Sequence, residues 1–283
     1  MIHEYLISFM TFTFIYIIIV ESLNLSWGFT GLANLGHMFF VGIGAYASAI
    51  LTLNGMPWYM AMIIAAVLAC FLGVIIAAIT VRLKGDYFQI VTLGLVFIAI
   101  AVSRNWVSLT RGALGLPGIP YITRNNFYFM IFAFILAGIC TLFFYWLTNS
   151  ETGKIFQAIR DDETAAAVLG KNTYAYKILS IGISTFFAGI AGSIYAHFIH
   201  FVDPTIFDLE FFVLILLFLI AGGLASIKGS IISIFALGIL FDAIRFVVVS
   251  PELIGAVRNM LFMGILLIIL IFKPRGIFGR VDV

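Results

Sequence analysis

The sequence predicts an all-α, polytopic helical membrane protein with about nine transmembrane helices. Hydrophobic residues make up 63% of its 283 positions and the mean hydropathy is +1.18. Only 10% of residues are charged, against about 25% in a typical soluble domain. The apolar runs also recur at the length of about 20 helical residues that a hydrocarbon core requires. One transmembrane domain over residues 1–283 is expected, interrupted by a single long hydrophilic stretch at 151–177.

The runs fall near residues 6–23, 27–53, 58–81, 87–103, 127–148, 178–199, 211–226, 230–248 and 257–272. The N-terminus, MIHEYLISF, lacks a positively charged n-region and a small-residue cleavage site, so it reads as the start of a retained first span. The second run is too long and too glycine-rich for one plain helix and is read as broken or re-entrant. Its core, WGFTGLANLGHMFFVGIGAYAS, holds Gly28, Gly31, Gly36, Gly42 and Gly44, with Asn34 and His37 as polar side chains one turn apart. Glycines there permit either close helix packing or backbone breaks that line a solute path, and both readings stay open. Asp86 is expected to cap the inner start of the fourth span. Residues 104–126, with the core LTRGALGLPGIP, read as an ordered, turn-laden loop.

Later in the chain, Ala188, Gly189, Gly192, Ser193 and Ala196 form a small-residue stripe suited to tight helix contact. His197, His200 and Asp203 can be drawn as a metal site, but the run into Asp203-Pro204 reads as a helix end and an outer turn, and no metal is expected. Asp242 and Arg245, three apart in the eighth run, are expected to form a structural ion pair. Cys70 and Cys140 each lie inside an apolar run, without spacing for a disulfide or a metal.

The 151–177 stretch carries eight of the chain's 28 Lys, Arg, Asp and Glu residues, balanced in sign. Ile155, Phe156 and Ile159 form one small apolar stripe. After it, Asp161 and Asp162 are placed to cap a short helix over 163–169, with Ala165, Ala166 and Leu169 on one face and Gly170 ending it. Such a stretch reads as a docking surface rather than a solvated connection. With this stretch inside, ten cations gather on the cytoplasmic side: Arg82, Lys84, Lys154, Arg160, Lys171, Lys177, Lys228, Lys273, Arg275 and Arg280. Arg104, Arg111, Arg124, Arg245 and Arg258 remain outside, which puts the N-terminus outside and the C-terminus in the cytoplasm.

Absences narrow the function. The chain has no GxxxxGK[ST] phosphate loop, no HExxH and no GxSxG, so it is expected to be non-catalytic and to receive energy through a partner or an ion gradient. Gradient-driven carriers bury carboxylates in mid-membrane, whereas Glu21 and Asp242 both fall near span ends here.

Five segments in order resemble one family: GFTGLANLGHMFFVGIGAYASA, RLKGDYFQIVTLG, LTRGALGLPGIP, GKIFQAIRDDETAAAVLGKN and IAGGLASIKG. They are similar to the LivM-type permease subunits of branched-chain amino acid ABC importers. Asn34 stands where the family often has Ser, and Arg111 where it often has Gly. Glu163, Ala165, Ala166 and Gly170 form a stretched version of the EAA-x-x-x-G pattern of ABC permeases. The resemblance implies a multi-pass protein of the bacterial or archaeal cytoplasmic membrane that forms a hydrophobic amino acid path with a homologous second permease. It implies two cytoplasmic ABC ATPase subunits, which hold the ATP and Mg while this chain binds no cofactor, and an extracytoplasmic solute-binding protein. Residues 151–177 become the coupling loop, in which Arg160, Asp161 and Glu163 orient the helix and Ala165, Ala166 and Leu169, with Gly170 closing it, meet the ATPase. Asn34, Gly36, His37, Gly42, Gly44 and Thr92 become candidates for the translocation path. A urea or short-amide importer permease shares these motifs and is the alternative, with an ion-gradient-driven transporter behind it.

Overall fold

The computed structural model describes residues 2–83, 85–247, 251–273 and 276–279, with side chains described except at 2, 243–247, 251–254, 256, 258, 259 and 270. Among the described residues, twelve α-helices follow in order: α1 (Ile2–Asn24), α2 (His37–Leu53), α3 (Trp58–Thr80), α4 (Asp86–Asn105), α5 (Val107–Thr110), α6 (Asn126–Asn149), α7 (Glu151–Asp161), α8 (Glu163–Val168), α9 (Thr173–Ile199), α10 (Leu209–Gly222), α11 (Ile227–Val247) and α12 (Pro251–Phe272). Among the described residues, five helical stretches are long and apolar enough to cross a membrane: His3–Phe29, Trp58–Thr80, Asp86–Asn105, Asn126–Asn149 and Thr173–Ile199. His37–Leu53, Leu209–Gly222 and Met260–Ile269 are shorter apolar helices.

Burial sorts these helices into a centre and a periphery. The most apolar windows of α1 and α9 are 67% buried, whereas those of α3, α4 and α6 are 28% buried. Large apolar side chains such as Ile63, Phe71, Ile98, Phe134 and Leu142 point outward from the peripheral three, as a lipid-facing surface would have them. Helix α9 can sit at the centre because its stripe of small residues lets backbones touch, and its most extensive contacts are with α2 and α3. A β-carbon on Gly192 would fall 1.9 Å from the Val41 carbonyl oxygen, and one on Gly44 would fall 2.2 Å from that of Gly189.

The long second run is not one helix. Helix α1 continues past residue 23 through a five-residue π-helical turn, Leu25–Phe29. The chain then leaves helical geometry until α2 begins at His37. Gly31 takes a left-handed φ of +77°, and the Asn34 carboxamide oxygen accepts the Gly36 N–H at 3.0 Å, closing a local turn that competes with helix. Asp86 does not cap α4: the cap position is Gly85, at φ +43°, and Asp86 is the first helical residue. Its carboxylate therefore acts on the helix dipole alone. Glu21, placed by the sequence near a span end, is buried, and both its oxygens accept from the Thr141 hydroxyl of α6, at 2.9 and 3.0 Å. Of the expected Asp242–Arg245 pair, the Arg245 side chain lies outside the described residues, as do Lys84, Arg275 and Arg280 among the cytoplasmic cations.

The 104–126 loop is ordered but not free of helix, since it contains α5 and a 3₁₀ turn at Gly112–Leu114. A two-residue strand β1 (Leu116–Pro117) then pairs antiparallel with β2 (Phe201–Val202), Leu116 opposite Val202, which ties the loop to the end of α9. His197 and His200 serve the same seam. The His197 ring bridges Ser48 Oγ and the Pro120 carbonyl, both at 3.0 Å, and His200 Nδ1 meets the Ile119 carbonyl at 3.1 Å. Arg111 occupies a left-handed conformation, φ +60°, which costs an L-residue about 1 kcal/mol. We expect Arg111→Gly to leave the thermal midpoint in detergent unchanged or raised by a few degrees, and Arg111→Val to lower it.

Candidate functional site

The hydrophilic stretch folds as two capped helices laid across one end of the bundle. Ser150 starts α7 by accepting the Gly153 N–H at 3.3 Å while donating to the Leu147 carbonyl at 2.6 Å. Gly153 permits the sharp turn out of α6, because a β-carbon there would sit 2.3 Å from the Leu147 oxygen. Phe156 and Ile159 are buried on the expected apolar stripe, and Phe156 meets Tyr176 of α9 edge-on at 6.3 Å. Of the two aspartates, only Asp162 caps α8, accepting the Ala165 N–H at 3.0 Å. Asp161 is the last residue of α7 and binds Arg160 instead. Gly170, at φ +80°, closes α8, and Asn172 caps α9 by accepting the Ala175 N–H at 3.1 Å.

The faces of α8 differ from the expected set. Ala166 is 2% exposed and turned into the protein, whereas Val168 and Leu169 are 82% and 77% exposed. The Lys177 ammonium of α9 pairs with the Glu163 carboxylate and ties α8 to the bundle. The outward face is therefore Ala165, Val168 and Leu169, and a charge placed at Ala166 would unseat the helix.

Arg160 carries the link from this surface to the interior. Its side chain is 12% exposed. Nη1 donates to the Gly28 carbonyl at 3.0 Å, and Nε and Nη2 donate to one oxygen of Asp161 at 2.9 and 2.8 Å. Gly28 belongs to the π-helical turn, where the ordinary helical register is lost. The chain of contacts continues through Asn24, one turn earlier and fully buried. Its oxygen accepts the Ala225 N–H at 3.0 Å, and its amide donates to Ser230 Oγ at 3.1 Å. A β-carbon on Gly28 would fall 2.5 Å from that same Ala225 nitrogen. Between α10 and α11, Gly222 and Gly229 approach each other's backbone, and Ile277 N–H donates to the Ala221 carbonyl at 3.0 Å. The IAGGLASIKG segment is thus the junction where α1, α10, α11 and residues 276–278 meet. A cleft of about 680 Å³, lined by Arg82, Arg160, Asp162, Glu163 and Lys177 among others, lies between the 151–177 stretch, the non-helical residues 30–33 and the start of α4.

The six path candidates are all buried. Gly36 and Thr92 are brought together, since a β-carbon on Gly36 would fall 2.3 Å from the Thr92 carbonyl oxygen, and Thr92 Oγ1 donates to the Gln89 carbonyl. Gly42 lies under the Phe207 ring and Gly44 against Gly189. His37 meets Ser22 Oγ at 2.9 Å, and Asn34 closes its local turn. Asn24, Ser230 and Val168 did not stand out in the sequence, and Gly28 stood out only as one of five glycines, with no contact to Arg160 expected. Only the position of Asn24 just before the glycine-rich run could have flagged it.

Residues 5–271 match the family described as the branched-chain amino acid transport system / permease component. The chain belongs to that family. It is a permease subunit of an ATP-binding-cassette importer and a multi-pass membrane protein. It is 29% identical to the Escherichia coli K12 high-affinity branched-chain amino acid transport system permease protein LivM, over 94% of this chain and 68% of that protein. It is 25% identical to the probable LivM of Methanocaldococcus jannaschii, over 93% and 90% of the two chains. The LivH permease protein of the Escherichia coli K12 system is 26% identical over 95% and 92%. No solved structure gives a significant match to the chain. Similarity to two differently named permeases of one system fits a subunit that works beside a homologous permease and an ATPase.

Proposed function

We propose that this chain is the permease subunit that forms, with a homologous second permease, the uptake path for branched-chain, hydrophobic amino acids, and that residues 151–177 are its coupling loop. The chain itself is non-catalytic and holds no cofactor. ATP and Mg are bound by two cytoplasmic ATPase subunits, and an extracytoplasmic binding protein delivers solute. Each of the nine apolar runs makes one crossing, the second as a helix broken between the π-helical turn and α2. The N-terminus lies outside and the C-terminus in the cytoplasm, as the cation distribution favours. The six buried path candidates act in this reading by setting helix spacing along the route.

One observation carries the proposal: two capped helices, held to the bundle by Arg160 and Glu163, present exposed Val168 and Leu169 in the chain's one long hydrophilic stretch. Fully burying a leucine is worth about 2 kcal/mol, enough to anchor a short helix in a groove. We expect Leu169→Asp, alone or with Val168→Asp, to weaken co-purification of the ATPase subunits at least tenfold and to abolish leucine uptake, with permease abundance unchanged. Retained association and uptake would assign docking to another surface.

A further inference from the structure

A cavity of about 330 Å³ opens in the half of the bundle away from the coupling face, between α1, α9, α10 and α11. Its α1 lining runs from Tyr5 to Tyr16, about 12–28 Å along the helix from Asn24 at 1.5 Å per residue. Asp242, expected from the sequence to be half of a structural pair, lines this cavity from α11. Aromatic rings line the same cavity: Phe12 packs on Tyr16 and Tyr195 at 6.0 and 6.3 Å, and Tyr16 on Phe218 at 5.9 Å. A second cavity, of about 370 Å³, shares Tyr16, Tyr195 and Leu214 with the first and continues it past Asp208 and Glu210. Burial raises the Asp208 carboxyl above its ordinary value; Arg104 opposes the rise, and Asp203 and Glu210 add to it.

A carboxylate among aromatic faces is the chemistry that holds an ammonium group, by ion pairing and by attraction to the ring faces. The remaining wall, with Leu214, Phe218, Ile234 and Phe241, suits a small hydrocarbon. The volume is in the range of small-molecule sites. We infer that this cavity is a binding site for a small apolar solute carrying an ammonium group, with Asp242 taking the ammonium and the aromatic wall covering the hydrocarbon. The acidic cavity beyond Tyr16 and Tyr195 is its entrance. The inference rests on the import reading and gives it a site within this one chain, separate from the glycine-rich segment.

Three probes of one size test it on the purified full-length chain: leucine, 3-methylbutylamine, which lacks the carboxylate, and 4-methylpentanoate, which lacks the ammonium. Leucine and 3-methylbutylamine are expected to bind by calorimetry, and 4-methylpentanoate is not. Asp242→Asn should weaken both amines at least tenfold, and Asp242→Glu should restore most of the loss. Should Asp242→Asn fail to accumulate, Ser8→Leu, which fills the cavity from α1, is expected to block binding. Unchanged leucine affinity in both Asp242→Asn and Ser8→Leu, or equal binding of 4-methylpentanoate, would overturn the site. Leucine uptake by cells carrying the whole importer separates the two readings. Wild-type uptake in Asp242→Asn removes this site and leaves the import reading standing. A wild-type importer that takes up no leucine, isoleucine or valine, while the chain still binds 3-methylbutylamine, removes the import reading and leaves the site.

Discussion

Gly192→Val is expected to abolish accumulation of folded protein in the membrane. The new β-carbon would sit 1.9 Å from the Val41 carbonyl oxygen and 2.9 Å from the Ala45 nitrogen, both backbone atoms of α2. A side-chain neighbour could rotate away, but a helix backbone cannot, so α2 and α9 would have to separate. Overpacking against movable side chains costs about 1–3 kcal/mol, and this change would in addition open the contacts at Gly44 and Gly189. Helix α9 is at the centre of the bundle, so the damage reaches α1 and α3 as well. Gly138→Val is the control, because nothing lies within 4 Å of a β-carbon there. Fluorescence-detected size exclusion should show a loss of the monodisperse peak for Gly192→Val and retention for Gly138→Val. Gly44→Ala then separates the two readings of the glycine-rich segment. Loss of the peak marks packing, and an intact peak with uptake lost marks a solute path.

The helices were legible in the sequence because each apolar run is long and a bilayer leaves few alternatives. The hydrophilic stretch was legible because eight charges stand out in an oily chain. Details failed where one residue decides them. Asp86 and Asp162 are the same residue type at helix starts, yet only Asp162 has the extended backbone that lets its carboxylate reach back to the helix. In a helix as short as α8, periodicity cannot choose between the Ala166 and Leu169 faces, and the choice comes from the Lys177–Glu163 tether and the bundle beneath. The link from Arg160 to Gly28 spans 132 positions and that from Asn24 to Ala225 spans 201, so no local pattern announces either. The Asp242 cavity was hidden for the same reason, since its aromatic lining is drawn from separate helices. Arg111 went the other way: its mismatch with the family's usual Gly was visible, and its positive φ supplies the reason for that Gly.

Arg160→Ala is expected to cut leucine uptake at least tenfold while leaving permease abundance and ATPase association near wild type. Two interactions compete for the credit. The pair with Asp161 joins neighbouring residues, and the aspartate side chain is 66% exposed, so it contributes little. The bond to the Gly28 carbonyl is made by a largely buried guanidinium, and hydrogen bonds to charged groups contribute about 1.5–3 kcal/mol. The second therefore dominates, and it connects the proposed coupling face to the π-helical turn, Asn24 and the α10–α11 junction. Without it α7 and α8 still fold on their own caps and still present Leu169, but movement of the loop no longer pulls on α1. Arg160→Lys should recover part of the uptake, since an ammonium can donate to Gly28 without also clasping Asp161. Asp161→Asn should be near wild type. Measuring uptake and ATP hydrolysis together in reconstituted vesicles gives the decisive quantity, the number of ATP molecules consumed per solute. That ratio should rise in Arg160→Ala; an unchanged ratio, or an equal rise in Asp161→Asn, would place the coupling contact elsewhere.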